Sequence, residues 1–157
     1  MKSPVTEEIP FGALVSITSR GRVILLNNRL RPLGLSAGQF PVMMLLAKEQ
    51  NIMQETLVRY YHLDKGTIAR AVKKLEDSGY IRRIVDPANR RAVRLFLTEK
   101  GEKVGAVLQA IDDEWEENIC AGLSKKKQET LYTLMHKVAQ NSHLAMHNSG
   151  EISDAED

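Results

Sequence analysis

The stretch LDKGTIARAVKKLEDSGY, from Leu63 to Tyr80, has the pattern of a short amphipathic helix with defined ends. Asp64 stands where an N-cap belongs, because its carboxylate can accept hydrogen bonds from the amides of the first turn. Gly79 suits the position after the last turn, where a left-handed residue is needed. Between them, apolar residues at three- and four-residue spacing predict one buried stripe, formed by Ile68, Val72 and Leu75.

The opposite face of this helix is cationic and shallow. At 3.6 residues per turn it carries Gly66, Arg70 and Lys73, with Ala69 at its edge. Glycine and alanine leave the face low enough for close approach by another molecule. A helix held by one apolar edge, with a basic outer face, is typical of a recognition helix in the major groove of DNA.

Charge is distributed unevenly along the chain. The 157 residues have a formal net charge of only +2. Between Arg59 and Arg94, however, ten basic residues stand against four acidic ones, which gives this segment +6 and leaves −4 for the remainder. This asymmetry indicates a positive binding surface on an acidic body. The plainer alternative is a solvated basic face without a partner.

Composition excludes several classes of protein. The single cysteine, Cys120, cannot form an internal disulfide and fits a reducing cytoplasm. No apolar run has the length of a membrane span, and the N-terminus has no signal-peptide core, so a cytoplasmic location is predicted. Because no nucleophile elbow, phosphate-binding glycine loop or paired-carboxylate motif is present, the sequence predicts neither an enzyme nor a cofactor.

Three helices are predicted up to Tyr61. The first starts near Pro10 and ends at about Arg31, and the second covers Ala37 to Lys48 with Ser36 as its cap. Its core side chains are expected to be Phe40, Met43, Met44 and Leu46. A third helix, at about 54–61, leads through a short turn into the basic helix, which is the helix–turn–helix arrangement.

After Gly79 the pattern changes to that of a hairpin. Ile81 to Val85 and Ala92 to Leu97 are rich in β-branched and aliphatic residues, and the turn between them is placed at Asp86 to Arg91. Arg90 and Arg91 therefore lie near the tip of the hairpin. The predicted fold class is mostly α with a small β-hairpin wing.

Two long amphipathic helices are predicted to follow, the first capped by Thr98 and the second, after a break at Gly122, by Ser124. Their apolar stripes exceed what a small winged domain can cover, so the excess, with the first helix, is interpreted as a homodimer interface. The expected organisation is a flexible arm at 1–9, a domain at 10–146 and a disordered acidic tail at 147–157. Within the domain, about 36–101 form the winged helix–turn–helix, and about 10–31 and 98–146 the dimerisation helices.

Three segments together resemble the MarR (multiple antibiotic resistance regulator) family of transcription factors. They are LGLSAGQF at 33–40, LDKGTIARAVKKLEDSGYIRR at 63–83 and DPANRRAVRLFLTEKG at 86–101. The resemblance implies a homodimer that reads a palindromic operator in double-stranded DNA. It also implies a small aromatic or phenolic effector, bound between the dimerisation helices and the DNA-binding lobe. Two positions depart from the family pattern: Gly66 replaces a common serine, and Asn89 replaces an aspartate that braces a wing arginine.

The predicted DNA-binding residues lie on the basic helix and the wing: Lys65, Gly66, Thr67, Ala69, Arg70, Lys73, Arg90 and Arg91. Arg70 is best placed to contact guanine edges, and the wing arginines suit a narrow minor groove. Tyr60 and Tyr61 offer hydroxyls for phosphate, although one of the two is expected to pack in the core. The alternative use of this basic face is to bind an acidic protein.

Arg20 and Cys120 each have a candidate function and a simpler structural explanation. Arg20 on the first helix is the candidate partner for an effector carboxylate, although a surface or intersubunit arginine explains it equally well. Cys120 is a candidate redox sensor, but its position favours simple packing. Three histidines recur along the last helix without a carboxylate or thiol at ligand spacing, so no metal site is predicted: His136, His143 and His147.

Overall fold

The computed structural model describes residues 9–153, with side chains described for 9–148. Its elements, in chain order, are α1 (Phe11–Leu30), a 3-10 turn (Arg31–Leu33), α2 (Phe40–Lys48), β1 (Ile52–Met53), α3 (Gln54–Tyr61), α4 (Lys65–Asp77), β2 (Ile81–Asp86), β3 (Asn89–Leu97), α5 (Glu99–Ile119) and α6 (Lys125–Ser153). The mostly helical fold with a small β wing is thereby confirmed. Among the described residues, no helix is long and apolar enough to cross a membrane.

The chain divides into two compact units, one ending at Trp115 and the other beginning at Glu116. Most of the predicted arm, residues 1–8, lies outside the described residues, as do residues 154–157 of the predicted tail. The rest of that tail differs from the expectation of disorder, since α6 continues to Ser153.

The helix–turn–helix is built around the predicted apolar stripe of α4. Ile68, Val72 and Leu75 are at most 1% exposed, and Ala71 joins them. They pack in one core with α2, α3 and the sheet, together with the predicted core residues Phe40, Met43, Met44 and Leu46. The stripe therefore fixes which face of α4 remains outside.

The second helix starts later than the sequence predicts. It begins at Phe40 rather than Ala37, and Ser36 does not cap it. Instead the Gln39 side chain accepts hydrogen bonds from the backbone N–H of Ser36 at 3.0 Å and from its hydroxyl at 2.7 Å. Pro41 explains the late start, because it has no N–H to donate to Ala37 in a helix that began there.

The sheet has three antiparallel strands in the order β1-β3-β2, one more than predicted. The extra strand is β1, which lies between the second and third helices and in which Ile52 pairs with Leu95 and Met53 with Arg94. A two-residue strand is too short to show an alternating pattern. The strand β1 is defined only by its pairing with β3.

The caps predicted for the last two helices are present. The Thr98 hydroxyl oxygen accepts from the N–H of Gly101 at 3.2 Å at the start of α5, and that of Ser124 accepts from the N–H of Lys127 at 3.4 Å. Large apolar side chains of α1 and α6 stay exposed in the single chain. They include Val15, Val23 and Ile24 on α1, and Leu131, Leu134 and Met135 on α6.

Candidate nucleic-acid interface

The N-terminal end of α4 is closed by Asp64, as predicted. Its Oδ1 accepts from the N–H of Thr67 at 2.8 Å, and its Oδ2 accepts from the Thr67 hydroxyl at 2.5 Å. These hydrogen bonds, the side-chain one first, hold the pKa of the Asp64 carboxyl below its ordinary value, and nearby Arg70 acts in the same direction. The carboxylate is therefore ionised at neutral pH, and the first turn of α4 is fixed.

The outer face of α4 is open to solvent. Gly66, Ala69, Arg70 and Lys73 are exposed, as is Lys65 in the first turn, whereas Thr67 is half-buried. Arg70 Nη2 donates to the Thr67 hydroxyl oxygen at 3.1 Å. A single face thus presents most of the predicted contacts, within one helix of 13 residues.

An acidic residue also lies on this face. Lys73 Nζ is 3.1 Å from Asp77 Oδ2, one turn further along, and both side chains are well exposed. A surface pair of this kind contributes little to stability. The Lys73 ammonium is therefore available to a competing anion such as a phosphate.

The C-terminal end of α4 is tied to the wing, and the residues that follow it are tied to the 3-10 turn. Gly79 takes the predicted left-handed conformation, with φ of 77°. Arg83 Nε on β2 pairs with Glu76 Oε2 on α4 at 2.8 Å. The hydroxyl of buried Tyr80 donates to the Leu33 carbonyl at 2.5 Å, and burial raises the pKa of that phenol. The ion pair between Arg83 and Glu76 therefore joins the wing directly to the basic helix.

The turn of the wing is shorter than predicted. Because β2 reaches Asp86 and β3 begins at Asn89, the loop is only Pro87-Ala88, not Asp86 to Arg91. Asp86 closes it by accepting from the N–H of Ala88 at 2.9 Å, and this bond, followed by contacts with Arg94, keeps the pKa of Asp86 below its ordinary value. An aspartate side chain that bonds the backbone two residues further on closes the turn, so a two-residue loop is sufficient.

Arg90 and Arg91 lie in an irregularity of β3 rather than in a free loop. Val85 pairs with Val93 and Asp86 with Asn89, so three residues of β3 lie between these pairs and none of β2. Such bulges redirect side chains at strand ends. Both arginines are exposed and form no ion pair with any described residue.

Asn89 has a structural role in this bulge. Its side-chain oxygen accepts from the N–H of Arg91 at 3.2 Å. The brace on a wing arginine comes instead from Asp86, whose Oδ2 lies 3.5 Å from Arg94 Nε. Although Asn89 has no charge, the wing therefore still has a carboxylate, that of Asp86, beside one of its arginines.

On α1 it is Arg22, not Arg20, that faces other elements. Arg20 is exposed, whereas the half-buried Arg22 pairs with Asp112 at 2.8 Å and places its guanidinium 4.5 Å from the Trp115 ring centre. Burial, then Tyr60 and Asp112, raise the pKa of nearby Tyr61 to about 12. The sequence does contain a signal that Arg22 faces the core. Arg22 precedes the buried residues Leu26 and Leu30 by four and eight positions, which places the three on one face of α1.

The remaining candidates stay apart. Tyr61 packs against the core while Tyr60 is 59% exposed, as expected for one of the two. Cys120 is a half-buried free thiol. The rings of His143 and His147 lie edge-to-face at 4.4 Å. The described residues contain no group of three metal-ligating side chains.

A helix–turn–helix with an exposed basic second helix, flanked by an anchored hairpin, defines a winged helix–turn–helix protein.

The MarR family model matches residues 35–93. A transcriptional regulator of Bacillus subtilis (strain 168), YybA, an uncharacterised relative, is 32% identical over 127 residues, which are 81% of this chain and 85% of the relative. The crystal structure of a MarR transcriptional regulator from Methanosarcina mazei Go1 superposes with a TM-score of 0.77 at 36% identity, covering 83% of this chain and 94% of that one.

A third likeness is to a MarR-family structure from Listeria monocytogenes, solved in complex with a 26-mer DNA. Its TM-score is 0.84 at 24% identity, over 91% of this chain and 95% of that chain, and it shows the shared fold. This chain belongs to the MarR family of DNA-binding transcriptional regulators.

Proposed function

We propose that the protein is a homodimeric cytoplasmic repressor that reads a palindromic operator. In this proposal α4 enters the major groove through Lys65, Gly66, Thr67, Ala69, Arg70 and Lys73, and the wing reaches the neighbouring minor groove through Arg90 and Arg91. The observation that carries it is the division of α4, whose apolar side chains are almost fully buried while Arg70 and Lys73 remain outside. A basic face held rigidly by its reverse side can enter a groove without rearrangement.

Dimerisation is supported by apolar surface that the single chain leaves exposed. Val23 and Ile24 of α1 are 44% and 61% exposed, and Leu134 of α6 is 59% exposed. Exposed apolar residues recurring along one helix mark an interaction surface. A two-fold dimer would present two α4 helices to half-sites about one helical turn, ~34–36 Å, apart.

Relief of repression by a small aromatic or phenolic effector belongs to the same proposal and rests on family membership. Arg20 is its proposed carboxylate partner and is accessible on α1. The effector would act by binding best to a dimer in which the two α4 helices do not match the half-site spacing.

The first test is Arg70→Ala, compared with Arg70→Lys. We expect alanine to weaken binding to a selected duplex by about 1–3 kcal/mol and to relax preference at one base pair of each half-site. Lysine keeps the charge but cannot make a planar two-hydrogen-bond contact, so it should retain non-specific affinity while losing that preference. The measurement is fluorescence anisotropy with duplexes selected from a random pool, against shuffled duplexes. If Arg70→Ala discriminates between them as well as the parent, Arg70 does not read bases.

The wing is tested by replacing Arg90 and Arg91 together with alanine. We expect weaker binding to all duplexes and a shallower dependence of log Kd on log salt concentration, by about one unit for each phosphate that is no longer neutralised. The control replaces Lys125 and Lys126 on α6, which removes the same net charge elsewhere. Equal slopes for the wing variant and the parent would contradict the proposed groove contact.

A further inference from the structure

Three side chains form a continuous hydrogen-bonded chain over the first turn of α4. The Thr67 hydroxyl donates to Asp64 Oδ2 at 2.5 Å and accepts from Arg70 Nη2 at 3.1 Å. The donor capacity of this hydroxyl is therefore used within the protein. The guanidinium of Arg70 is turned back along the helix, toward the N-terminal end that approaches base edges in a helix–turn–helix.

Gly66 leaves the space that this conformation of Arg70 needs. A Cβ placed on Gly66 would lie 3.2 Å from Arg70 Nη1 and 3.2 Å from Asp64 Oδ1. Both distances are shorter than ordinary van der Waals contact. Because Nη1 is the far end of a flexible side chain, the guanidinium would move and the helix would not. The absence of a side chain at Gly66 thus allows the guanidinium of Arg70 to lie over the first turn of α4.

The hydrogen-bonded chain restricts the rotamers of Arg70 already in the free protein, so less conformational entropy is lost when DNA is bound. A long exposed arginine samples many rotamers, and immobilising it opposes association. Here Thr67 holds one nitrogen of the guanidinium, and the Asp64 carboxylate attracts it electrostatically. Arginine has five N–H donors, so donors remain for a base.

We propose that Gly66 and Thr67 are positioning residues that pre-orient Arg70 over the first turn of α4 and thereby set the base-pair preference of the regulator. This inference rests on the proposed role of Arg70 in reading bases. It assigns to Thr67 an indirect role in DNA binding, exerted through the guanidinium of Arg70. In this proposal, Gly66 determines specificity through the space that it leaves for Arg70. Its effect is more than the loss of the serine hydroxyl that is common at this position in the family.

The experiment compares Gly66→Ala and Thr67→Val with the parent on the duplex selected by the parent and on duplexes changed at single base pairs. At the pair where Arg70→Ala relaxes preference, we expect each variant to lose discrimination by about fivefold or more. Thr67→Ser keeps the hydroxyl and should discriminate as the parent does. The melting temperature of Gly66→Ala should not fall, because alanine is the better helix former. Discrimination equal to that of the parent in Gly66→Ala or in Thr67→Val would overturn the proposal, whatever the melting temperature.

A double-variant cycle separates positioning from a general effect on α4. In the Arg70→Ala background, Gly66→Ala should cause no further loss of discrimination, since it acts through Arg70. Equal losses in both backgrounds would overturn the positioning role. Tighter binding by Gly66→Ala would also overturn it, because the contacts would then restrain Arg70 rather than pre-orient it. If Arg70→Ala alone leaves discrimination unchanged, the proposed reading role itself fails, which the single variant shows separately.

Discussion

Replacement of Gly101 by alanine is expected to lower the free energy of unfolding by about 1–3 kcal/mol or more, because the site has no room for a methyl group. A Cβ at Gly101 would lie 2.2 Å from the backbone oxygen of Tyr80. That carbonyl cannot move aside freely, since it accepts from the N–H of Thr98 at 3.0 Å. Leu97 crowds the same position, with its Cδ2 at 3.1 Å. The methyl group must therefore push the segment between α4 and β2 away from α5.

Gly105 provides the matched control on the same helix. A Cβ there would be 3.8 Å from the Cβ of Ala47, which is an ordinary contact. Gly105→Ala should therefore leave stability unchanged or raise it by up to about 1 kcal/mol through helix propensity. Thermal unfolding at matched protein concentration measures both variants. Gly101→Ala is expected to lower the melting temperature by roughly 2–4 °C for each kcal/mol of destabilisation. A melting temperature equal to that of the parent would show that the backbone at Tyr80 can move away from α5 without cost.

Leu134→Glu is expected to convert the proposed dimer to monomers and to weaken binding to a palindromic duplex by a factor of about 10²–10⁴. Leu134 is 59% exposed in the single chain, so a carboxylate there is accommodated without change to the fold. Against the apolar face of a partner, the same carboxylate would be buried without a counter-charge, which is strongly unfavourable. The two half-sites could then no longer be bound by one linked molecule.

Analytical ultracentrifugation and binding to full and half operators test this prediction together. Gln140→Glu adds the same charge at another exposed position of α6 and should remain dimeric. The half-site affinity of Leu134→Glu should match that of one parent subunit, because α4 is unchanged. A Leu134→Glu protein that sediments as a dimer at micromolar concentration would remove α6 from the proposed interface.

The recognition helix could be predicted from the sequence because its determinants lie within one segment. Asp64 caps it, three apolar residues at helical spacing bury one side, and Gly79 ends it, as the structure confirms. The caps Thr98 and Ser124 follow the same logic. Each of these features depends on residues within a few positions of one another, so the local sequence contains the information.

Several features that the sequence did not predict depend on contacts between distant segments. The strand β1 exists because Ile52 meets Leu95, and the wing turn is short because Asp86 closes it beside a bulge. The start of α2 is a local exception, because Pro41 moves it to Phe40 and helical spacing alone does not show that shift. Arg20 and Arg22 differ only in which of them meets α5.

The sequence by itself determined the class of fold, the basic face of α4 and the family, because periodicity, caps and motif order are local properties. Only the tertiary structure decided why position 101 must be glycine and which arginine of α1 meets α5. Gly101 depends on a carbonyl 21 positions earlier in the chain, and Arg22 depends on the carboxylate of Asp112, 90 positions later. Close approaches of this kind are set by packing, in which tenths of an ångström decide what fits.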